Sequence, residues 1–170
     1  MLLELKNVVK KFGGITALSD ISFQVNQGDI FGIIGPNGAG KTTIFNMVTG
    51  VYPVTSGDVV FNGQSLNGKK TFEIIDGGIA RTFQNIRLFG NMTVEENVRI
   101  GLHNQIKYGM FSGIFRLPAY WKQEKKQHEK ALELLSIFDM QGMAQYRAGS
   151  LPYGAQRRLE IVRALATHPK

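Results

Sequence analysis

Residues Gly35 to Thr42 read Gly-Pro-Asn-Gly-Ala-Gly-Lys-Thr, the spacing G-x-x-x-x-G-K-[ST] of a phosphate-binding loop. Glycines let such a loop wrap closely and aim successive N–H groups at phosphate oxygens. Lys41 brings a point charge suited to β- and γ-phosphates, and the Thr42 hydroxyl is a magnesium ligand by chemistry. The chemistry also constrains the flanks, because the loop has to leave a strand and open a helix whose N-terminal dipole faces the anion. Both flanks comply. Ile30-Phe31-Gly32-Ile33-Ile34 is nearly continuous apolar sequence, which predicts a strand buried on both faces. After Thr43, the residues Ile44, Phe45 and Val48 fall on one face of a predicted helix that stops at Gly50.

Around this centre the chain divides into a strand-rich first half and a helix-rich second half. Leu2 to Lys11 alternates weakly and reads as an edge strand ended by Gly13-Gly14; Ile21, Phe23 and Val25 alternate as a half-buried strand. Val59-Val60-Phe61 reads as a short strand closed by the tight-turn pair Asn62-Gly63, and Ile79 to Phe83 as another strand. From about Ile86 the pattern is helical. Thr93 and Glu96 form a capping box ahead of Val94, Val98 and Leu102. Pro118 marks a boundary. Lys122 to Met140 is an amphipathic helix with Ala131, Leu134, Leu135 and Phe138 on its apolar face. A last helix starts near Gly154 or Ala155 and carries Leu159, Val162 and Leu165. The stretch from Gln105 to Pro118 fits either a loop or a short helix.

Bulk properties narrow the function classes. The chain has no cysteine, hence no disulfide framework and no thiolate metal site. It has no apolar run long enough to span a bilayer, and its start, MLLELKNVVKK, lacks the form of a secretory signal. A cytoplasmic protein is expected. The net charge of +7 is scattered over Lys69-Lys70, Lys122 to Lys130 and Arg157-Arg158. No groove-reading motif accompanies it, so no nucleic-acid partner is expected.

Three further features gain interest from the loop. Phe12, ahead of two glycines, suits either strand-end packing or stacking on a base. Gln84, at the end of a predicted strand, is either a surface amide or a group poised to touch a metal ion or an attacking water. Ser150-Leu151-Pro152-Tyr153-Gly154-Ala155 is a turn that opens a basic-faced helix.

Taken together, these strings resemble the nucleotide-binding subunits of ABC transporters. Gly35, Pro36, Asn37, Gly38, Ala39, Gly40, Lys41, Thr42 and Thr43 look like that family's Walker A motif. Phe12 stands where the family has an aromatic that stacks on adenine, and Gln84 matches the Q-loop glutamine. Leu151, Pro152, Tyr153, Gly154 and Ala155 occupy the place of the signature, usually Leu-Ser-Gly-Gly-Gln, which contacts ATP in trans. Pro152 and Ala155 depart from it, and Pro152 has neither hydroxyl nor N–H. Arg81 to Asn85, Leu88-Phe89, Met92 to Asn97, Phe111-Ser112-Gly113 and Tyr153 to Ile161 look like the branched-chain amino-acid importers, whose variants include Leu-Pro-Tyr-Gly. Subunits for lipopolysaccharide export or urea uptake share some of these strings. Non-transport ABC ATPases acting on ribosomes or DNA usually carry tandem cassettes or a coiled-coil insertion, and neither is seen.

The resemblance implies an α/β fold: a P-loop NTPase (ABC ATPase) core with an N-terminal antiparallel β subdomain and an α-helical subdomain. The corresponding segments are 1–85 for the β subdomain with the core strands and helix, 86–150 for the helical subdomain, and 151–170 for the signature and its helix. It implies ATP and Mg²⁺ as cofactors, with Lys41 and Gln84 in catalysis and Thr42 and Gln84 near the metal. The implied partners are a second ATP-binding subunit, identical or not, two membrane permease subunits docking near Gln84 to Phe89, and a periplasmic or extracellular solute-binding protein. The implied location is the cytoplasmic face of the bacterial inner membrane, as a peripheral subunit. The family continues past the signature helix with an apolar strand ending in Asp-Glu and then a switch histidine. No apolar run followed by Asp-Glu occurs in these 170 residues, and His168 precedes the position of that strand. The C-terminal part of the core is therefore expected to be missing and the chain by itself inactive.

Overall fold

The computed structural model describes residues 1–103 and 118–170. The segment that fits either loop or helix, with Tyr108, Phe111 and Phe115, therefore lies outside the described residues, Pro118 excepted. The described residues form two units, Met1–Ile79 with Lys170, and Ala80–Pro169. The helix that follows Leu151 and Pro152 lies in the second unit with the other helices of that half.

The first unit is built on a four-stranded antiparallel sheet in the order β2-β1-β3-β4, with β1 Leu3–Phe12, β2 Ile15–Val25, β3 Ser56–Phe61 and β4 Gln64–Ser65. Leu3 pairs with Val25 on one side and Phe61 on the other, so β1 is a central strand and not the expected edge. Its many polar residues misled that reading; Glu4 and Lys10 are in fact buried. Asn62 and Gly63 both take positive φ, 49° and 76°, the type I′ geometry that matches the twist of a two-residue hairpin. Helix α1, Lys41–Val48, packs Ile44, Met47 and Val48 against Leu5, Val8, Leu18, Val59 and Phe61. Phe45, placed on that face by the sequence reading, is instead largely exposed. A short helix, α2 (Thr71–Asp76), adds Ile74 to this core.

Two predicted strands do not form. Ile30 to Ile34 leads into the phosphate loop without regular structure, and Ile30 and Ile34 are 104% and 95% exposed. Burial on both faces requires strands alongside and cover above and below, and among the described residues no strand pairs with this segment. Only Ile33 packs on the core, and Phe31 stacks on Phe23 with centroids 4.9 Å apart. Ile79 to Phe83 is likewise not a strand; its last residue finds side-chain partners for its backbone in place of a ladder.

The second unit is helical. α3 (Val94–Gly101), α4 (Pro118–Ser136) and α5 (Tyr153–Leu165) bury Val94, Val98, Leu102, Ala131, Leu135, Leu159 and Val162 in one core. The capping box is present as read: Glu96 N–H donates to Thr93 Oγ1 at 3.1 Å and Thr93 N–H to Glu96 Oε2 at 2.7 Å. These bonds satisfy two of the helix's free N-terminal N–H groups and hold the Glu96 carboxyl below its ordinary pKa of 4.5, the Thr93 backbone bond first. α4 begins at the Pro118 boundary, four residues before the expected Lys122, and stops at Ser136, short of Met140, where the chain turns through Asp139 at φ 55°. No described helix is long and apolar enough to cross a membrane.

Candidate functional site

The phosphate loop lies in the first unit. Gly40 is the N-cap of α1 with φ 84°, in the left-handed region, and no side chain caps the helix. A Cβ on Gly40 would stand 2.4 Å from Leu18 Cδ2 and 3.3 Å from the Ala17 carbonyl oxygen, so only glycine lets the loop lie this close to β2. Lys41 Nζ donates to the carbonyls of Gly35 and Pro36, at 2.6 and 2.7 Å, and its ammonium thereby sits across the mouth of the loop. With no acidic residue in the first turn of α1, the free N–H groups, the dipole and the ammonium add up to an anion site. Residues Gly35 to Ala39 and Thr42 are exposed, whereas Gly40, Lys41 and Thr43 are partly covered.

Phe12 ends β1, and two residues before it Lys10 pairs with Leu18, the residue against the Gly40 backbone. Phe12 is 43% exposed. Its ring meets Tyr52 edge-on at 5.2 Å, and Lys10 Nζ lies 4.7 Å from its centroid while donating to the Pro53 carbonyl at 2.8 Å. Tyr52 and Lys10 were not singled out from the sequence. Tyr52 lies forty residues away along the chain, and Lys10 read as a polar residue of an edge strand.

Gln84 and the Leu151–Ala155 segment belong to the second unit. Leu151 and Ala155 are buried in the helical core, which leaves Pro152, Tyr153 and Gly154 exposed. Pro152 is the N-cap of α5 without a side-chain cap bond. Gln84 is exposed, and its backbone and that of Phe83 are bound by the signature helix. Arg157 Nη1 donates to the Phe83 carbonyl at 2.7 Å and Arg157 Nη2 to the Gln84 carbonyl; the Phe83 N–H donates to Glu160 Oε1 at 3.2 Å. Arg157 and Glu160 also pair at 3.2 Å. The Tyr153 side chain first, and Glu160 second, hold the Arg157 guanidinium still more firmly in its charged form, against some desolvation. Half-buried Arg163 is shifted the other way by burial, opposed by Glu160, and lies 5.7 Å from the Phe89 ring. Arg157 and Glu160 were legible only as part of a family-like string; nothing local in the sequence marks them as partners of residues more than seventy positions upstream.

The ABC transporter family profile matches residues 18–170. The chain is 39% identical over 169 residues to the high-affinity branched-chain amino acid transport ATP-binding protein LivG of Salmonella typhimurium, and covers 99% of itself and 66% of that protein. It is 38% identical over 169 residues to the corresponding protein BraF of Pseudomonas aeruginosa, again with 99% and 66% covered. Among solved structures, the ADP conformation of MJ1267, an ATP-binding cassette of an ABC transporter, superposes with a TM-score of 0.81 at 37% identity, over 99% of this chain and 66% of that one. The chain belongs to the ABC transporter family, as an ATP-binding cassette. It spans about two thirds of the length of these relatives.

Proposed function

We propose that this chain is the nucleotide-binding portion of an ATPase subunit that powers import of branched-chain amino acids. The observation that carries the reading is the phosphate loop: a glycine-backed turn, an uncapped helix N-terminus and an ammonium spanning its mouth. Likeness to LivG and BraF, both named for branched-chain amino acid transport, supports the solute class.

When bound, Mg·ATP supplies the transferable γ-phosphoryl group and a cation that offsets its charge. The chain's own residues do the positioning. Lys41 exchanges its Gly35 and Pro36 carbonyl partners for phosphate oxygens, and the loop and α1 N–H groups hold the rest. Thr42 would offer its exposed hydroxyl to the cation; Gln84, in the other unit, is the amide proposed to sense the nucleotide. Among the described residues no cluster of three or more His, Cys, Asp or Glu is arranged to hold a metal by itself, so the cation in this reading depends on phosphate oxygens. Phe12, backed by Tyr52 and Lys10, stacks on the adenine. In a head-to-tail pair of subunits, Leu151 and Ala155 shape the turn from within, and the exposed backbone at Tyr153 and Gly154 faces the partner's ATP. Permease subunits at the cytoplasmic face of the membrane and an external solute-binding protein complete the assembly. Catalysis on this account is positioning and electrostatics.

The test is reconstitution of the whole transporter in lipid. Leucine, isoleucine or valine with the binding protein should raise ATP hydrolysis. Stimulation by urea or another solute alone would refute the branched-chain assignment.

A further inference from the structure

The turn at Phe83 and Gln84 is fastened in an uncommon way. The Phe83 N–H and the carbonyls of Phe83 and Gln84 would ordinarily go to a neighbouring strand or to water. Here all are taken by Arg157 and Glu160, one turn apart on α5. The guanidinium reaches both carbonyls with its two terminal nitrogens, a fork that a lysine cannot reproduce. Glu160 is only 2% exposed, and its two oxygens divide between Arg157 and the Phe83 N–H. Glu160 is buried and Arg157 partly exposed, and an ion pair so placed contributes little net stability; what it adds here is geometry. The far end of the same segment is pinned as well. Asn97 of α3, fully buried, accepts from the Phe89 N–H at 3.0 Å and donates to the Phe89 carbonyl at 3.1 Å. Between the two fastenings Gln84, Asn85 and Arg87 stand exposed.

We infer that Arg157 and Glu160 are positioning residues that make the Gln84 turn move as one body with the helix opening at Leu151–Ala155. This rests on the proposed nucleotide role of Gln84 and goes beyond it. A displacement of the α5 N-terminus carries the Gln84 carbonyl, and so re-aims the Gln84 amide on the same residue. Engagement of the signature segment and placement of the glutamine are thereby joined by two side chains within one unit. The phosphate loop lies in the other unit.

The experiment uses the whole transporter and the variants Arg157→Ala, Arg157→Lys, Glu160→Ala and Gln84→Ala. Hydrogen exchange of the Phe83 amide, followed in a peptide that begins upstream of Arg81 and runs to Phe89, reads the fastening. It should accelerate in both Arg157 variants and in Glu160→Ala while the core helices keep their protection. Turnover at saturating ATP should fall about tenfold or more in the same three variants, the scale of a misplaced catalytic group, with ATP affinity within about twofold of wild type. Combining Arg157→Ala with Glu160→Ala should add little, as expected of residues acting as a unit. If Arg157→Ala does not fold, Arg157→Lys still decides, since it keeps the charge and loses the fork. Unchanged exchange at Phe83, unchanged turnover, or a parallel loss of ATP affinity and global protection with Arg157→Lys behaving normally would each overturn the inference. Failure of the Gln84 role shows separately, as wild-type turnover in Gln84→Ala, and leaves the exchange result to judge the fastening alone.

Discussion

Asn97→Leu replaces the amide by two bulkier methyl groups on the same branched skeleton, at a site with no solvent exposure, so any overpacking adds to the loss. Three hydrogen bonds go with the amide: Phe89 N–H to Oδ1 at 3.0 Å, and Nδ2 to the Phe89 and Thr93 carbonyls at 3.1 and 2.9 Å. At roughly 1 kcal/mol net each, rising where a buried group is left unpaired, the loss is about 2–4 kcal/mol. The Phe89 side chain is half exposed, so water can reach part of that backbone and the lower half of the range is favoured. For a chain of this size each kcal/mol shifts the melting midpoint by about 2–4 °C, which makes the expected fall roughly 4–12 °C. Thermal unfolding followed by circular dichroism measures it, and exchange at the Phe89 amide reports whether the local fastening has gone. A change under about 0.5 kcal/mol with unaltered Phe89 protection would refute the reasoning, because that is the scatter of ordinary surface substitutions.

If Phe12 stacks on adenine, Phe12→Ala should weaken ATP binding by about 1–2 kcal/mol while Phe12→Tyr and Phe12→Trp retain it; equal affinities throughout would reduce Phe12 to packing. Thr93→Ala should cost about 1 kcal/mol of stability at neutral pH. Because the cap holds the Glu96 pKa below 4.5, its stabilisation is present above that value and is lost as pH falls through the lowered folded-state pKa. The gap between wild type and Thr93→Ala in denaturant titrations should therefore shrink in acid. The 170 residues by themselves contain no apolar run ending in Asp-Glu, so they should release phosphate from ATP no faster than their Lys41→Ala version. Lys41-dependent turnover would assign the water-positioning role to a carboxylate already present.

Local signals were legible wherever the physics is local. The phosphate loop, the Thr93–Glu96 capping box and the Asn62-Gly63 turn each follow from a few adjacent residues, and the period of Val94, Val98 and Leu102 marks a buried helical face directly. Readings failed where partners are distant. Composition made β1 look like an edge, but Glu4 and Lys10 are buried with partners far along the chain, Gln24 and Pro53. Ile30 to Ile34 carries the pattern of a doubly covered strand, yet no described strand lies beside it and Ile30 and Ile34 face solvent. Of the candidate site, the loop, Phe12, Gln84 and the signature were picked out by motif. Tyr52, Arg157, Glu160 and Asn97 matter only through what the fold sets against them, and no spacing rule exposes such pairs.

The most direct measurement is equilibrium titration of a fluorescent ATP analogue into the wild-type protein and Lys41→Ala with magnesium present. The account predicts saturable binding by the wild type and at least about a tenfold loss in the variant, since the ammonium that bridges Gly35 and Pro36 is the loop's one point charge for the phosphates. Equal affinity of the two proteins, or no binding by the wild type, would contradict it.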